Sequence, residues 1–392
     1  MNFIESYALN CGAKIGKPHL YTAFFPLPFP QYVSFHSDCV ASAKNYDYFQ
    51  DVLNIIAPVL TQHGIYIVQI GEAKDREYSN CISVKGQTNI NQLAYIIKNS
   101  LLHFGAESFP IHVAAGFDVP LVALFSNNYI NCTKPYFGSK DKQIFISSYD
   151  RAGLKPSFSN DENPKTINLI KPEEIAASIF KLLGIDFTIP FDSVFFGKKY
   201  SNYNIQEAFP DNTRILFNPE GQVEVRADRE HTDAQLFGQI AQYKKSIVIM
   251  DKPINFNLLK QFKSNIAALA FKITETDHHD FLAQLESLGS KLILVSELPP
   301  EKVQQLKLRY YEFGVINPIE YIAEDKINEL KKDLPKLYYR SAKITASKDK
   351  FYYSEAAVEK DIPMTDHLTY QPVIDEPSFW KGLDFVSIVR VK

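Results

Sequence analysis

Cysteine is scarce in this sequence, with four among 392 residues. Cys11, Cys39, Cys81 and Cys132 are widely spaced and form no C-x-x-C pair, which argues against a zinc ribbon or a disulfide framework. They read as reduced thiols, and the chain as cytoplasmic. A long hydrophobic run is also lacking: the longest, Ile111 to Phe125, is broken by His112, Asp118 and Pro120 and is too short to span a bilayer. The opening residues carry Glu5 and no basic-then-apolar pattern, so no secretory signal is expected. The net charge of −3 is too small to draw the whole chain to nucleic acid or to an anionic membrane. His278 and His279 are adjacent and cannot share one helix face, and no further ligands stand at diagnostic spacing, so no metal site is expected.

What is present is a regular alternation of short β-rich runs and amphipathic, helix-length segments, the pattern of parallel sheets covered by helices. In the first half, strands are expected at Tyr32 to Phe35, Ile65 to Ile70, Leu101 to Phe104, Pro120 to Phe125 and Gln143 to Ile146. Helices fit over Tyr46 to Gln62, Asn89 to Ser100, Ser108 to Gly116 and Lys171 to Leu183, the last opened by Pro172 and stopped by Gly184. A second series follows, with strands at Arg214 to Phe217, Ser246 to Met250, Ile266 to Phe271, Lys291 to Val295 and Phe313 to Ile316. Helices fall between them at 232–243, 255–263, 277–288 and 299–308. The spacing hints at a repeat, but no residue motif recurs, so ordinary βα alternation is the reading. The expected organisation is an extension (1–30), a Rossmann-like domain (31–186), a second α/β domain (187–334) and a β-rich appendage (335–392), the last with two strands about the turn Ser347-Lys348-Asp349 and a terminal strand from Phe385.

The most informative stretch is Gly105 to Phe125, GAESFPIHVAAGFDVPLVALF. A strand feeds a short helix through Glu107 and Ser108. His112 lies one turn in, and small residues follow. Ser108 is placed to cap that helix, whose N–H groups face the sheet edge where open α/β sheets bind phosphorylated ligands. Taken singly, His112 also fits a helix residue bonded within its domain, Glu107 and Ser108 a helix start with favourable charge, Lys44 a solvated lysine, and Glu72 a surface carboxylate.

Taken in order, these residues resemble the donor-binding half of the heptosyltransferase-like, GT-B-fold glycosyltransferases. The family pattern has an acidic residue, a hydroxyl residue and then His-[apolar]-Ala-Ala before a Pro-initiated strand. Glu107, Ser108 and His112 fall on those positions, with Glu where Asp is usual. Val84 to Ser100 resembles the lead into the preceding helix, and Thr133 to Gly138 a downstream Thr-x-Pro loop. Lys44 falls on the lysine that contacts the nucleotide diphosphate, and Gly71 and Glu72 on a loop near the nucleotide. The resemblance spans about residues 25 to 185.

It implies two Rossmann-like domains in a GT-B-like arrangement, with the domain order reversed, because the donor-type half comes first. It also implies an inverting, metal-independent transfer from a nucleotide-sugar co-substrate, with no separate cofactor. Lys44 and the helix start would hold the leaving diphosphate, and a carboxylate would take the acceptor's proton. Asp228 and Glu230 are candidates for that base only by their place near a βα junction. The acceptor is left open among glycan, protein, small molecule and modified nucleic acid, and so is oligomerisation. A non-catalytic nucleotide-binding or assembly protein of GT-B ancestry is the alternative, and an epimerase or hydrolase of GT-B type a third reading.

Overall fold

The computed structural model describes the whole chain except residues 154, 201–204, 219 and 220. It divides into two compact units, Met1–Ser193 and Val194–Lys392. No helix among the described residues is long and apolar enough to cross a membrane.

The first unit opens with α1 (Phe3–Cys11), fixed at its start by a capping box between Asn2 and Glu5 and ended by Gly12 in the left-handed conformation. The extended stretch after it lays Leu20, Phe25, Leu27 and Phe29 onto the unit's core. There follow β1 (Tyr32–His36), α2 (Phe49–Gln62), β2 (Tyr66–Gln69), β3 (Ile82–Ser83), α3 (Ile90–Lys98), β4 (Leu102–Ala106), α4 (Phe109–Gly116), β5 (Leu121–Phe125), α5 (Ile130–Thr133), β6 (Gln143–Ser147) and α6 (Pro172–Leu183). The six strands are parallel, in the order β3-β2-β1-β4-β5-β6. This is the doubly wound order, in which the chain leaves β1 in one direction, then returns to build outward from β4 in the other. Helices consequently cover both faces, α2 against α6 and α3 against α4. The strands are buried through and through, as β4 and β5 illustrate.

The second unit contains β7 (Phe191–Phe196), where the chain passes between units, then β8 (Ile205–Ala208), β9 (Val223–Arg226), α7 (Asp233–Ala241), β10 (Ser246–Met250), α8 (Phe256–Gln261), β11 (Ile266–Lys272), α9 (His279–Ser287), β12 (Lys291–Ser296), α10 (Pro300–Arg309), β13 (Ile316–Pro318) and α11 (Glu324–Lys331). It closes with β14 (Leu337–Ser341), β15 (Lys343–Ser347), β16 (Lys350–Tyr352), α12 (Glu355–Glu359), β17 (Gln371–Pro372), α13 (Pro377–Lys381) and β18 (Val386–Val391). Eight strands form one sheet in the order β13-β12-β11-β10-β9-β8-β15-β16, and four form another, β17-β14-β18-β7.

The α/β architecture with parallel sheets holds in both units, but the second differs from the first in strand order. From β8 to β13 each strand neighbours the next in sequence, without the reversal that opens a crevice in a Rossmann sheet. Right-handed crossovers that always advance the same way put every helix on the same face. One core cluster accordingly holds residues of α7, α8, α9 and α10 together with Val225, Val248, Leu269 and Leu294.

Two expectations are corrected here. Arg214 to Phe217 is not a strand; Leu216 packs on the core from a loop, and β9 supplies the ladder instead. The C-terminal segment is not an appended β layer either. β15 pairs parallel with β8 inside the large sheet, while β14, separated from it by Ala342 alone, pairs antiparallel with β18 in the small one. The expected turn is present as the β15–β16 hairpin, with Lys348 and Asp349 both at positive φ, the requirement of a two-residue turn matched to strand twist.

Candidate functional site

The order reversal in the first sheet falls between β1 and β4, so the loops leaving these two strands diverge and leave an opening at their carboxyl ends. β1 ends in His36, directly opposite Gly105 of β4. The two backbones approach so closely that a Cβ on Gly105 would stand 2.2 Å from the His36 carbonyl oxygen, which excludes any other residue there. Glu107 and Ser108 then leave β4 at the same level.

Lys44 sits on a 3-10 turn, Ser42–Lys44, in the β1–α2 loop. Its Nζ reaches Glu107 Oε2 at 2.9 Å, with both side chains largely buried. Asn45 fixes the loop that carries it, accepting from Cys39 N at 2.7 Å and donating to Cys39 O at 3.1 Å. Ser126 donates to the Ala43 carbonyl at 2.9 Å from the end of β5. Burial pushes the Cys39 thiol up to about 12, against the pull of Lys44, so it stays protonated and is no nucleophile.

Ser108 occupies the N-cap position of α4, yet its hydroxyl makes no capping bond, contrary to expectation. It lies 3.1 Å from His36 Nδ1 instead, because its extended backbone turns the hydroxyl back toward β1. His112 is on the exposed side of α4, one turn in. Loss of solvent, and then the Lys44 charge, lower its basicity, so near neutral pH it is an uncharged imidazole able to donate one hydrogen bond and accept another. Lys44, Glu107, Ser108 and His112 are thus brought to one place.

Gly71 and Glu72 follow β2, the neighbour of β1. Gly71 has φ +149, and a Cβ there would stand 2.2 Å from Asp75 Oδ2 and 3.6 Å from the His36 ring. The Asp75 carboxylate uses that space to accept the Glu72 N–H at 2.8 Å. Glu72 itself is exposed and pairs with Lys74 at 2.8 Å.

His36 joins the two groups, and inspection of the sequence passed over it. Burial lowers its basicity, partly countered by Asp75, Asp38 and Glu72. Also missed is the network that sets the height of the β1–α2 loop. Arg76 Nε binds Asp38 Oδ1 at 2.8 Å and its Nη1 binds Asp47 at 3.2 Å, while Lys165 reaches Asp47 at 2.7 Å. Burial alone would raise Asp38, but Arg76 and the Ser37 hydroxyl hold its carboxyl below the ordinary range. The available signal was position: polar residues directly after an apolar strand of a parallel sheet sit on its functional edge.

Of the candidate bases, Asp228 follows β9 and accepts from Arg226 with both oxygens, at 2.7 and 2.8 Å. Burial would raise its pKa, but the guanidinium overrides this and lowers it, which makes the carboxylate a weaker proton acceptor. Glu230 is exposed just before α7.

The site offers a cation, a neutral imidazole pair, a hydroxyl and a carboxylate around an opening, a set suited to a polyhydroxylated ligand bearing phosphate. Residues 32–162 match the family model of glycosyltransferase family 9 (heptosyltransferase). Among solved structures, the chain is similar to a family 9 glycosyl transferase of Veillonella parvula DSM 2008, at 19% identity over 39% of this chain and 46% of that one, TM-score 0.32. It is similar to E. coli ADP-heptose LPS heptosyltransferase II, at 20% identity over 46% and 50%, TM-score 0.31. It is also similar to the E. coli heptosyltransferase WaaC with ADP, at 12% identity over 45% and 54%, TM-score 0.32. The chain spans about half the length of each. No curated protein matches it.

Proposed function

We propose, taking residues 32–162 as a segment of the family 9, heptosyltransferase-like kind, that the chain is a glycosyltransferase whose first unit holds a nucleotide-sugar at the carboxyl ends of β1 and β4. The observation that carries this reading is the Lys44–Glu107 pair at the point where the strand order reverses. A cation and a carboxylate held together there suit a ligand that presents phosphate and hydroxyls side by side. The diphosphate would share the Lys44 ammonium, and Glu107 would accept a sugar or ribose hydroxyl.

The neutral His112 would hydrogen-bond the diphosphate as charge develops on it, and His36 would act as a positioning residue by orienting the Ser108 hydroxyl. The transfer is proposed as inverting, with Lys44 and the start of α4 serving the leaving group in place of a metal. Gly71 makes room for the Asp75 carboxylate that holds the Glu72 N–H, and Glu72 can exchange its exposed Lys74 partner for a ligand hydroxyl. Cytoplasmic location and an acceptor still to be identified complete the proposal.

The test is a panel of nucleotide-sugars in a melting assay, followed by product analysis with each donor that binds. At least one donor is expected to raise the melting temperature of the parent, and Lys44→Ala to lose that shift. A panel in which no donor moves the parent would sink the proposal.

A further inference from the structure

The large sheet of the second unit has two unlike faces. Helices pack on one. The other bears Ile247, Ile249, Ala270, Ile293 and Val295 and lines a cleft of about 860 Å³, walled opposite by Tyr353, Phe379 and Phe385 of the same unit. Ile247, Ile249, Ile293 and Val295 are only half-buried, whereas Val248 and Leu294, which point to the helices, are sealed. Parallel sheets are ordinarily covered on both faces, and leaving branched aliphatics wet forgoes about 25 cal/mol per Å². The volume is that of a small-molecule site.

Toward β8, β9 and β15 the same face becomes charged, but these charges satisfy one another. Arg226 binds both Glu207 and Asp228; Lys343 pairs with Glu207 at 2.9 Å and Glu224 at 3.2 Å; Arg229 pairs with Glu355, and Lys272 with Glu297 at 2.7 Å. Two further cations line the cleft with no carboxylate ion pair among the described residues. Lys199 lies over the Phe385 ring at 5.2 Å, and Lys381 over Tyr321 at 5.9 Å. On the floor side, Asp251 keeps a buried Oδ1 with no hydrogen-bond partner, an acceptor placed for a hydroxyl or a bound water.

We propose that this cleft is a second binding site, taking an amphiphilic organic anion whose hydrocarbon body lies on the Ile247–Val295 floor and whose carboxylate or phosphate meets Lys199 and Lys381. Neither component of the floor nor the two lysines is used by the site on β1 and β4, so the inference stands apart from the proposed transfer. Both lysines are exposed, so they can be altered without disturbing the core.

The experiment is calorimetric titration of the full chain, without nucleotide, with decanoate and decyl phosphate, each below its micelle-forming concentration. Decanol and decyltrimethylammonium serve as the neutral and cationic comparisons. At least one anion is expected to bind saturably at one site per chain, decanol more weakly, and the ammonium least. Preference between the two anions identifies the head group. The double variant Lys199→Glu/Lys381→Glu is expected to keep its melting temperature, lose about tenfold in anion affinity and bind decanol as before. Ile249→Trp, which fills the floor, is expected to weaken every ligand that binds. Lack of saturable binding by both anions, equal binding of the ammonium, or unchanged anion affinity in the double variant would each overturn the proposal.

Discussion

Gly105 faces the His36 carbonyl at a distance no Cβ tolerates, so the backbone contact that brings β1 to the site rests on a residue without a side chain. Gly105→Ala is expected to destabilise the protein by about 1–3 kcal/mol, read from the denaturant midpoint, and to weaken donor binding as the strand shifts. His103, on the same strand, is fully buried, with Nδ1 2.9 Å from Ser34 Oγ, and burial lowers its pKa to about 3. A base whose folded pKa lies below its unfolded value of about 6.5 contributes stability that is complete above 6.5 and is lost as pH falls toward 3, because only the unfolded chain takes the proton. Unfolding free energy should therefore fall between pH 7 and pH 4, by up to about 3 kcal/mol from this residue alone. His103→Asn should flatten that slope; a variant as pH-sensitive as the parent would refute the assignment. Glu207 acts in the same direction: burial would raise it, but Lys343 and Arg226 hold it far down, so its contribution too is lost on acidification.

At the scale of elements, α3 has a full capping box, Asn89 accepting from Gln92 N and Gln92 returning to Asn89 N. Asn89→Ala should cost about 1 kcal/mol, measured as a shift in unfolding free energy, with the donor site intact. The helices and strands of the first unit were legible because each obeys one period: the strand from Tyr32, the helix ending at Gln62 and the one from Pro172 to Leu183 stand within a few residues of expectation. Local signals also found the β15–β16 turn. α1 was not foreseen, although Asn2 and Glu5 stand at capping-box spacing, because its few apolar residues bury little. Of the residues of the proposed donor site, Lys44, Glu107, Ser108 and His112 were named from an ordered motif. His36 and Arg76 were not, since their roles arise from partners 72 and 38 residues away along the chain, which no local pattern encodes.

For the whole molecule, nucleotide-sugar binding predicts a localised footprint. Hydrogen exchange with a bound donor should slow at residues 36–48 and 105–112, the two loops that diverge from β1 and β4. Protection confined to other residues would contradict the proposed site. Strand order, by contrast, could not be read along the chain. Both series alternate strand and helix, yet the first reverses direction after its third strand and the second advances from β8 to β13 without reversing. Which strand a run will neighbour is decided by packing across the finished sheet, and alternation alone is silent about it.

The placement of β15 beside β8 has a consequence in time. Thr345 bonds Glu207 across a separation of 138 residues. At about 5–20 residues per second, a ribosome delivers β15 roughly 7 to 28 s after β8. Throughout that interval the nascent second unit carries an open strand edge and a Glu207 that has Arg226 but still lacks Lys343 and Thr345, while the first unit, its six strands already translated, is free to close.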